Sequence, residues 1–205
     1  MILHDPKEIE KRSFEIIASE LAVSIPAENE LVVKRVIHAT ADFDFAENLC
    51  FSEHAVEKAL AALRGGCDIV TDTQMARSGI NKKILAELGG EVHCFMSDED
   101  VAAETVRRGT TRAEISMEKA AKLAKPCIFA IGNAPTALLA IHDLVTAGKL
   151  SCALVIGAPV GFVNIIESKE KIMTLDIPYI VARGRKGGSG VAAAICNALI
   201  YQIKR

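Results

Sequence analysis

Short, wholly apolar runs alternate with segments of helical period along most of this chain. The runs are CDIVT at Cys67 to Thr71, EVHCFM at Glu91 to Met96, PCIFAIG at Pro126 to Gly132, CALVIG at Cys152 to Gly157 and PYIVAR at Pro178 to Arg183. Because they are continuous rather than alternating, they read as strands buried on both faces. Between them, Asn81 to Leu88, Asp98 to Arg107, Arg112 to Ala124, Pro135 to Ala147 and Asn164 to Met173 carry helical periodicity. Strand-helix alternation implies parallel neighbours joined by crossover helices, with helices covering both sides of the sheet.

The expectation is therefore an α/β protein: a flavodoxin-like three-layer α/β/α fold with a five-stranded parallel sheet. Ahead of the first run lie helices at Glu8 to Val23, Glu28 to Thr40 and Glu53 to Leu63. They make residues 1–65 a helical N-terminal part of a single 1–205 domain whose wound core is 66–205. A minimal wound sheet has no need of that extension, so it either covers an edge or meets a partner. Gly65-Gly66 and Gly89-Gly90 end helices as left-handed caps do.

Composition narrows the function. Half the residues are hydrophobic, yet aromatics are 4% and Trp is absent, so the core is aliphatic and lacks stacking platforms for single strands. With 24 Lys plus Arg against 26 Asp plus Glu, there is no cationic surplus for nucleic acid. A mean hydropathy of +0.26 raises the question of a membrane. The longest apolar stretches are nevertheless broken by Asn133, Pro135 and Thr136, or by Gly157, Pro159 and Gly161, short of the roughly 20 residues a spanning helix needs. The N-terminus carries Asp5, Glu8 and Glu10 where a signal peptide would be basic. Six cysteines without a CxxC pair, mostly inside apolar runs, suit buried thiols in the cytoplasm, and no metal-ligand spacing occurs.

In a wound sheet, ligands bind beyond the carboxyl ends of the strands. Those ends read Thr71, Asp72, Thr73; Ser97, Asp98; GNAPT at Gly132 to Thr136; GAPVGF at Gly157 to Phe162; and RGRKGGSG at Arg183 to Gly190. The last three combine small residues with helix starts, which suits a polyanionic small ligand. Tight turns alone would use the same glycines and prolines. Gly188 to Ala193 matches a dinucleotide fingerprint but comes too near Arg205 to complete the unit that fingerprint needs. Among titratable residues His38 stands out, one turn after Lys34 and Arg35 and one turn before Asp42. A helical histidine in isolation is more often structural than catalytic.

Taken together, several strings resemble the precorrin-8X methylmutase family, including its cobalt-precorrin-8 form, across essentially the whole chain. They are RSFEII (Arg12 to Ile17), KRVIHATADFDF (Lys34 to Phe45), TDTQMARSGINK (Thr71 to Lys82), GTTR (Gly109 to Arg112), GNAPTALL (Gly132 to Leu139), GAPVGFVNIIESKE (Gly157 to Glu170) and RGRKGGSG. The resemblance implies a cofactor-free isomerase of cobalamin biosynthesis that moves a methyl group from C11 to C12 of a tetrapyrrole by a 1,5-sigmatropic shift. The product would be hydrogenobyrinic acid or its cobalt counterpart. TADFDF and TDTQMARSGI look more like the cobalt branch, in which the metal belongs to the substrate.

The same resemblance puts the family histidine on His38, as donor of a proton or strong hydrogen bond to a ring nitrogen. It puts Ser13 and Arg112 beside the substrate, for hydrogen bonding and carboxylate pairing. Thr73, Met75 and Ala76 would shape the pocket. Asn133, Thr136, Arg183 and Arg185, from the strand-end loops, complete the candidate binding set. A homodimer is implied too, with Ser13 and His38 on the extension that could face a partner. The rival reading is a noncatalytic flavodoxin-like carrier of an anionic flavin or tetrapyrrole, which would not need His38.

Overall fold

The structure, a computed structural model, describes residues 4–204. Helix α1 (Pro6–Glu20) begins where Asp5 accepts hydrogen bonds from the Lys7 and Glu8 amides at 2.7 and 3.4 Å, with Pro6 in the first turn. This is the usual way to satisfy otherwise unpaired donors. Helix α2 (Ala27–Thr40) stops at Ala41, whose φ of 53° is left-handed. Then come α3 (Phe45–Asn48), β1 (Leu49–Phe51) and α4 (Ala55–Arg64). The remainder runs β2 (Asp68–Thr71), α5 (Gln74–Gly79), α6 (Lys82–Glu87), β3 (Val92–His93), α7 (Glu99–Arg108), α8 (Arg112–Ala120), β4 (Cys127–Ile131), α9 (Pro135–Thr146), β5 (Cys152–Gly157), α10 (Ile165–Met173), β6 (Tyr179–Ala182) and α11 (Ser189–Ile203).

Among the described residues the sheet has six strands, not five, in the order β1-β6-β5-β4-β2-β3. Strand β1 is the addition: it lies antiparallel to β6, with Leu49 opposite Ala182. The extension is therefore not purely helical, and it does cover a sheet edge. The other five strands are parallel, and their order is the 2-1-3-4-5 of one doubly wound class. The strand expected over Glu91 to Met96 shrinks to Val92–His93, and α5 appears where only a loop is expected.

Strand residues alternate between two cores. Ile69, Ile128, Leu154, Ile156 and Ile180 face α2, α4 and α11, while Val70, Phe129, Ile131, Val155 and Val181 face α8, α9 and α10. Three layers follow directly. Val32, Val33, Val36 and Ile37 of α2 enter the same cluster as the buried face of α11, so the N-terminal part and the wound core share one interior. Among the described residues, no helix is long and apolar enough to cross a membrane.

Candidate functional site

The carboxyl ends of the parallel strands are tied together by groups that the fold buries. Asp72, just past β2, is 1% exposed and accepts hydrogen bonds from three successive amides after β4: Gly132 at 2.8 Å, Asn133 at 2.8 Å and Ala134 at 2.6 Å. Burial pushes its carboxyl upward, and those three amides pull the other way. The amides of GNAPT, expected to cradle an anionic ligand, are thus already occupied by an internal carboxyl group. Thr73 caps α5, accepting from the Ala76 amide at 3.0 Å, and its hydroxyl meets the Ser189 hydroxyl at 2.8 Å, joining the β2 end to the start of α11. Gly132 makes that approach possible, because a Cβ there would lie 2.6 Å from the Ser189 Cα. The Gly188 amide donates to the Ala158 carbonyl and the Gly161 amide to the Arg185 carbonyl, so the loops after β5 and β6 also interlock.

The loop after β6 is gripped from two sides. On α10, Lys169 is fully buried and donates to the carbonyls of Gly184 at 2.8 Å and Lys186 at 2.9 Å; burial pushes its ammonium down to about 8. Its neighbour Glu170 accepts two hydrogen bonds from Arg183, at 2.8 and 2.9 Å. Lys186 reaches outward to Asp42 at 2.7 Å and Asp44 at 2.6 Å, on the connection that follows α2, and holds Asp42 below the usual carboxylate range.

That connection leads back to His38. The side chain is exposed near the C-terminal end of α2, with its ring 5.5 Å from that of Phe14 on α1. Arg35 lies over Phe14 at 4.8 Å and over Tyr201 at 5.4 Å, and pairs with Glu10. Partial burial, and secondly the Arg35 charge, lower the His38 pKa from its ordinary 6.5 and so favour the neutral imidazole.

The other candidates fall into three situations. Exposed and accessible are Met75, at 73%, Asn133, Arg112 and Arg185. Arg112 donates to the Met96 carbonyl at 3.3 Å, and Arg185 lies over the Phe162 ring at 5.4 Å. Already engaged within the protein are Thr136, which accepts from Thr111 at 3.1 Å, Arg183, and Ser13, whose hydroxyl donates to the Ile9 carbonyl one turn back at 2.9 Å. Ala76 is fully buried, so its methyl group packs inward rather than lining an open surface. Phe162, at 82%, adds exposed apolar area against Arg185, and the next residue in the chain, Val163, is exposed as well.

Sequence reasoning passed over Asp72 as an organiser and missed Lys169. A signal existed for the lysine: it lies four residues after Ile165 and three before Ile172, on the inward stripe of α10. Burial pushes the thiols of Cys67 and Cys152 up to about 12 and that of Cys127 to about 11, which disfavours their reactive thiolate forms. Among the described residues, no group of three or more His, Cys, Asp or Glu side chains is arranged to hold a metal ion.

Comparison with known proteins agrees along the length of the chain. The sequence model of the precorrin-8X methylmutase family matches residues 8–202. The chain is 46% identical over 195 residues to the cobalt-precorrin-8 methylmutase of Priestia megaterium, covering 95% of this chain and 87% of that one. It is 44% identical over 211 residues to the cobalt-precorrin-8 methylmutase of Salmonella typhimurium, covering 98% of each. A solved precorrin-8X methyl mutase from Thermus thermophilus superposes with a TM-score of 0.86 at 39% identity, covering 94% of this chain and 96% of that one.

Proposed function

The chain belongs to the precorrin-8X methylmutase family, and from that premise we propose how its residues carry the reaction. The enzyme is an isomerase of cobalamin biosynthesis that moves a methyl group from C11 to C12 of the tetrapyrrole. Cobalt-precorrin-8 is the substrate favoured here, supported by the names of the Priestia and Salmonella relatives, and the cobalt travels with the ring.

His38 acts on a ring nitrogen. The observation that carries this assignment is an accessible imidazole at the end of α2, beside Phe14 and near the Arg35 charge. A neutral imidazole donates its N–H as a hydrogen bond. When a polycarboxylate binds nearby, its charge raises the imidazole pKa, and the protonated ring can then transfer the proton outright. Either way electron density is drawn from the conjugated system as the methyl migrates. The proton returns to His38 afterwards, so the sum is an isomerisation. Arg112 and Arg185 pair with substrate carboxylates, to which the guanidinium fork is matched. Arg183 does so only by exchanging Glu170. Thr73, Asn133 and Thr136 offer polar contacts at the strand ends, Met75 an apolar wall, and Ala76 the packing that holds Met75 outward. Ser13 hydrogen-bonds substrate by releasing the Ile9 carbonyl.

A homodimer accompanies this reading, supported by the exposed Ile9, Ile16 and Leu31 on α1 and α2, the helices that carry Ser13 and His38. Light scattering at the concentration of full activity should give about twice the 21.9 kDa chain mass. The enzyme is placed in the cytoplasm, where its six free thiols stay reduced.

The test is an anaerobic absorption time course with cobalt-precorrin-8, wild type beside His38→Ala. Conversion to the cobyrinic-acid spectrum by wild type alone supports the assignment, whereas equal rates would remove it.

A further inference from the structure

The methylmutase reading leaves one buried cation without a role. Lys169 is fully buried in α10, where an ammonium is costly unless carbonyls or anions surround it. Its two partners are the backbone carbonyls of Gly184 and Lys186, which bracket Arg185. A single side chain therefore holds both shoulders of the residue that faces Phe162. The side chain of Lys186 continues outward to Asp42 and Asp44, four and six residues past His38. A continuous chain of contacts thus runs from the interior of α10, through the loop after β6, to the end of the helix that carries the histidine.

We propose that Lys169 is a positioning residue, whose grip on the Gly184–Lys186 backbone aims Arg185 and, through Lys186 and the two aspartates, registers the His38 helix against the strand-end wall. The proposal rests on the methylmutase reading for its kinetic consequences and on geometry alone for the grip. Glu170 strengthens the case, since its two hydrogen bonds to Arg183 fix the loop immediately before the gripped segment. Removing the ammonium would leave that approach intact while freeing the carbonyls around Arg185. Arg185 would then lose its fixed aim, and Lys186 its fixed origin.

The test compares Lys169→Met, Lys169→Arg and Lys186→Ala with wild type in three readouts: thermal unfolding, amide hydrogen exchange, and steady-state kinetics with cobalt-precorrin-8. Methionine fills similar space without a donor, so a folded Lys169→Met is expected. The Gly161 amide, which donates to the Arg185 carbonyl, and the Gly188 amide should exchange at least about tenfold faster in it, because loop opening becomes easier, while the Arg183 amide, held by the Asn48 carbonyl, should change little. KM should rise and kcat fall, each by about tenfold, the scale of one lost charged hydrogen bond. Lys169→Arg should recover part of both. Lys186→Ala, an exposed change with little effect on folding, should lower kcat with a smaller change in KM.

Unchanged exchange in Lys169→Met overturns the grip whatever the kinetics. Faster exchange with unchanged kcat and KM overturns the positioning role and leaves a purely structural lysine. Should Lys169→Met not fold, wild-type kinetics in Lys186→Ala overturns the link to His38. Hydrogen exchange needs no substrate, so a failure of the grip is distinguishable from a failure of the His38 assignment.

Discussion

The strand-end wall and the His38 wall are held by different kinds of interaction. At the strand ends a buried carboxylate ties down three backbone amides, two hydroxyls meet between loops, and a glycine lets α11 approach within the space of a missing Cβ. His38, by contrast, projects from a helix surface, steadied by an aromatic contact and a neighbouring Arg35–Glu10 pair. Backbone hydrogen bonds to a buried charge break together or not at all, whereas an exposed ring turns and changes protonation cheaply. The difference teaches that shape is fixed at the strand ends, while the group proposed to gain and lose a proton stands on an exposed helix surface.

The largest effect that would sharpen this contrast is on rate. His38→Ala should lower kcat by about 10²- to 10⁴-fold, the usual contribution of a positioned general acid, with the binding of cobyrinic acid little changed. Absorption titration beside the turnover assay separates the two quantities. Next comes the rigid wall. Asp72→Ala leaves three amides without their acceptor, so urea unfolding should show a loss of about 3 kcal/mol or more. A loss below about 1 kcal/mol would show that water replaces the carboxylate and that the wall is softer than drawn here.

Smaller changes test the arginines against one another. Arg112→Ala and Arg185→Ala should each raise KM by about tenfold, as expected for one charge-assisted pairing. Arg183→Ala, whose partner is the protein's own Glu170, should change KM least. The smallest effect concerns protonation. Because the folded protein holds His38 below its ordinary 6.5, the unfolded chain takes up that proton first. Stability from this group is therefore present above pH 6.5 and lost as pH falls through the window just below it. An NMR titration of the ring protons should find a value under 6.5 in the free enzyme and a higher one with cobyrinic acid bound. An unchanged value on binding would separate His38 from the carboxylates of the ligand.

Most of the wound core was legible because its strands are buried on both faces and leave unbroken apolar runs. Strand β1 left no such trace: three residues, Leu49 to Phe51, pair along one edge between helical patterns, and only the β6 backbone makes them a strand. Val92–His93 is short because pairing with β2 ends before the apolar run does. At the candidate site, the motifs pointed to the strand-end loops, but charge alone did not reveal which groups there were already occupied. Arg183 and Arg185 are two residues apart in sequence, yet one is held by Glu170 and the other rests on Phe162. Asp72 looked like one polar residue among several at a strand end. Lys169 shows that a charged residue on an apolar stripe can sit inside when carbonyls receive it.

Strand β1 also bears on how a chain that is half hydrophobic avoids its own kind. Open sheet edges offer unpaired amides and carbonyls to any neighbouring chain and so seed fibres. Here the β6 edge is capped by three antiparallel residues, and the opposite edge, β3, is only two residues long. Neither margin gives an incoming strand more than a few rungs to copy. Deleting the Leu49–Phe51 pairing would expose the longer, wholly parallel margin behind it, and colloidal failure in the cell would be the expected cost even if the catalytic loops stayed whole.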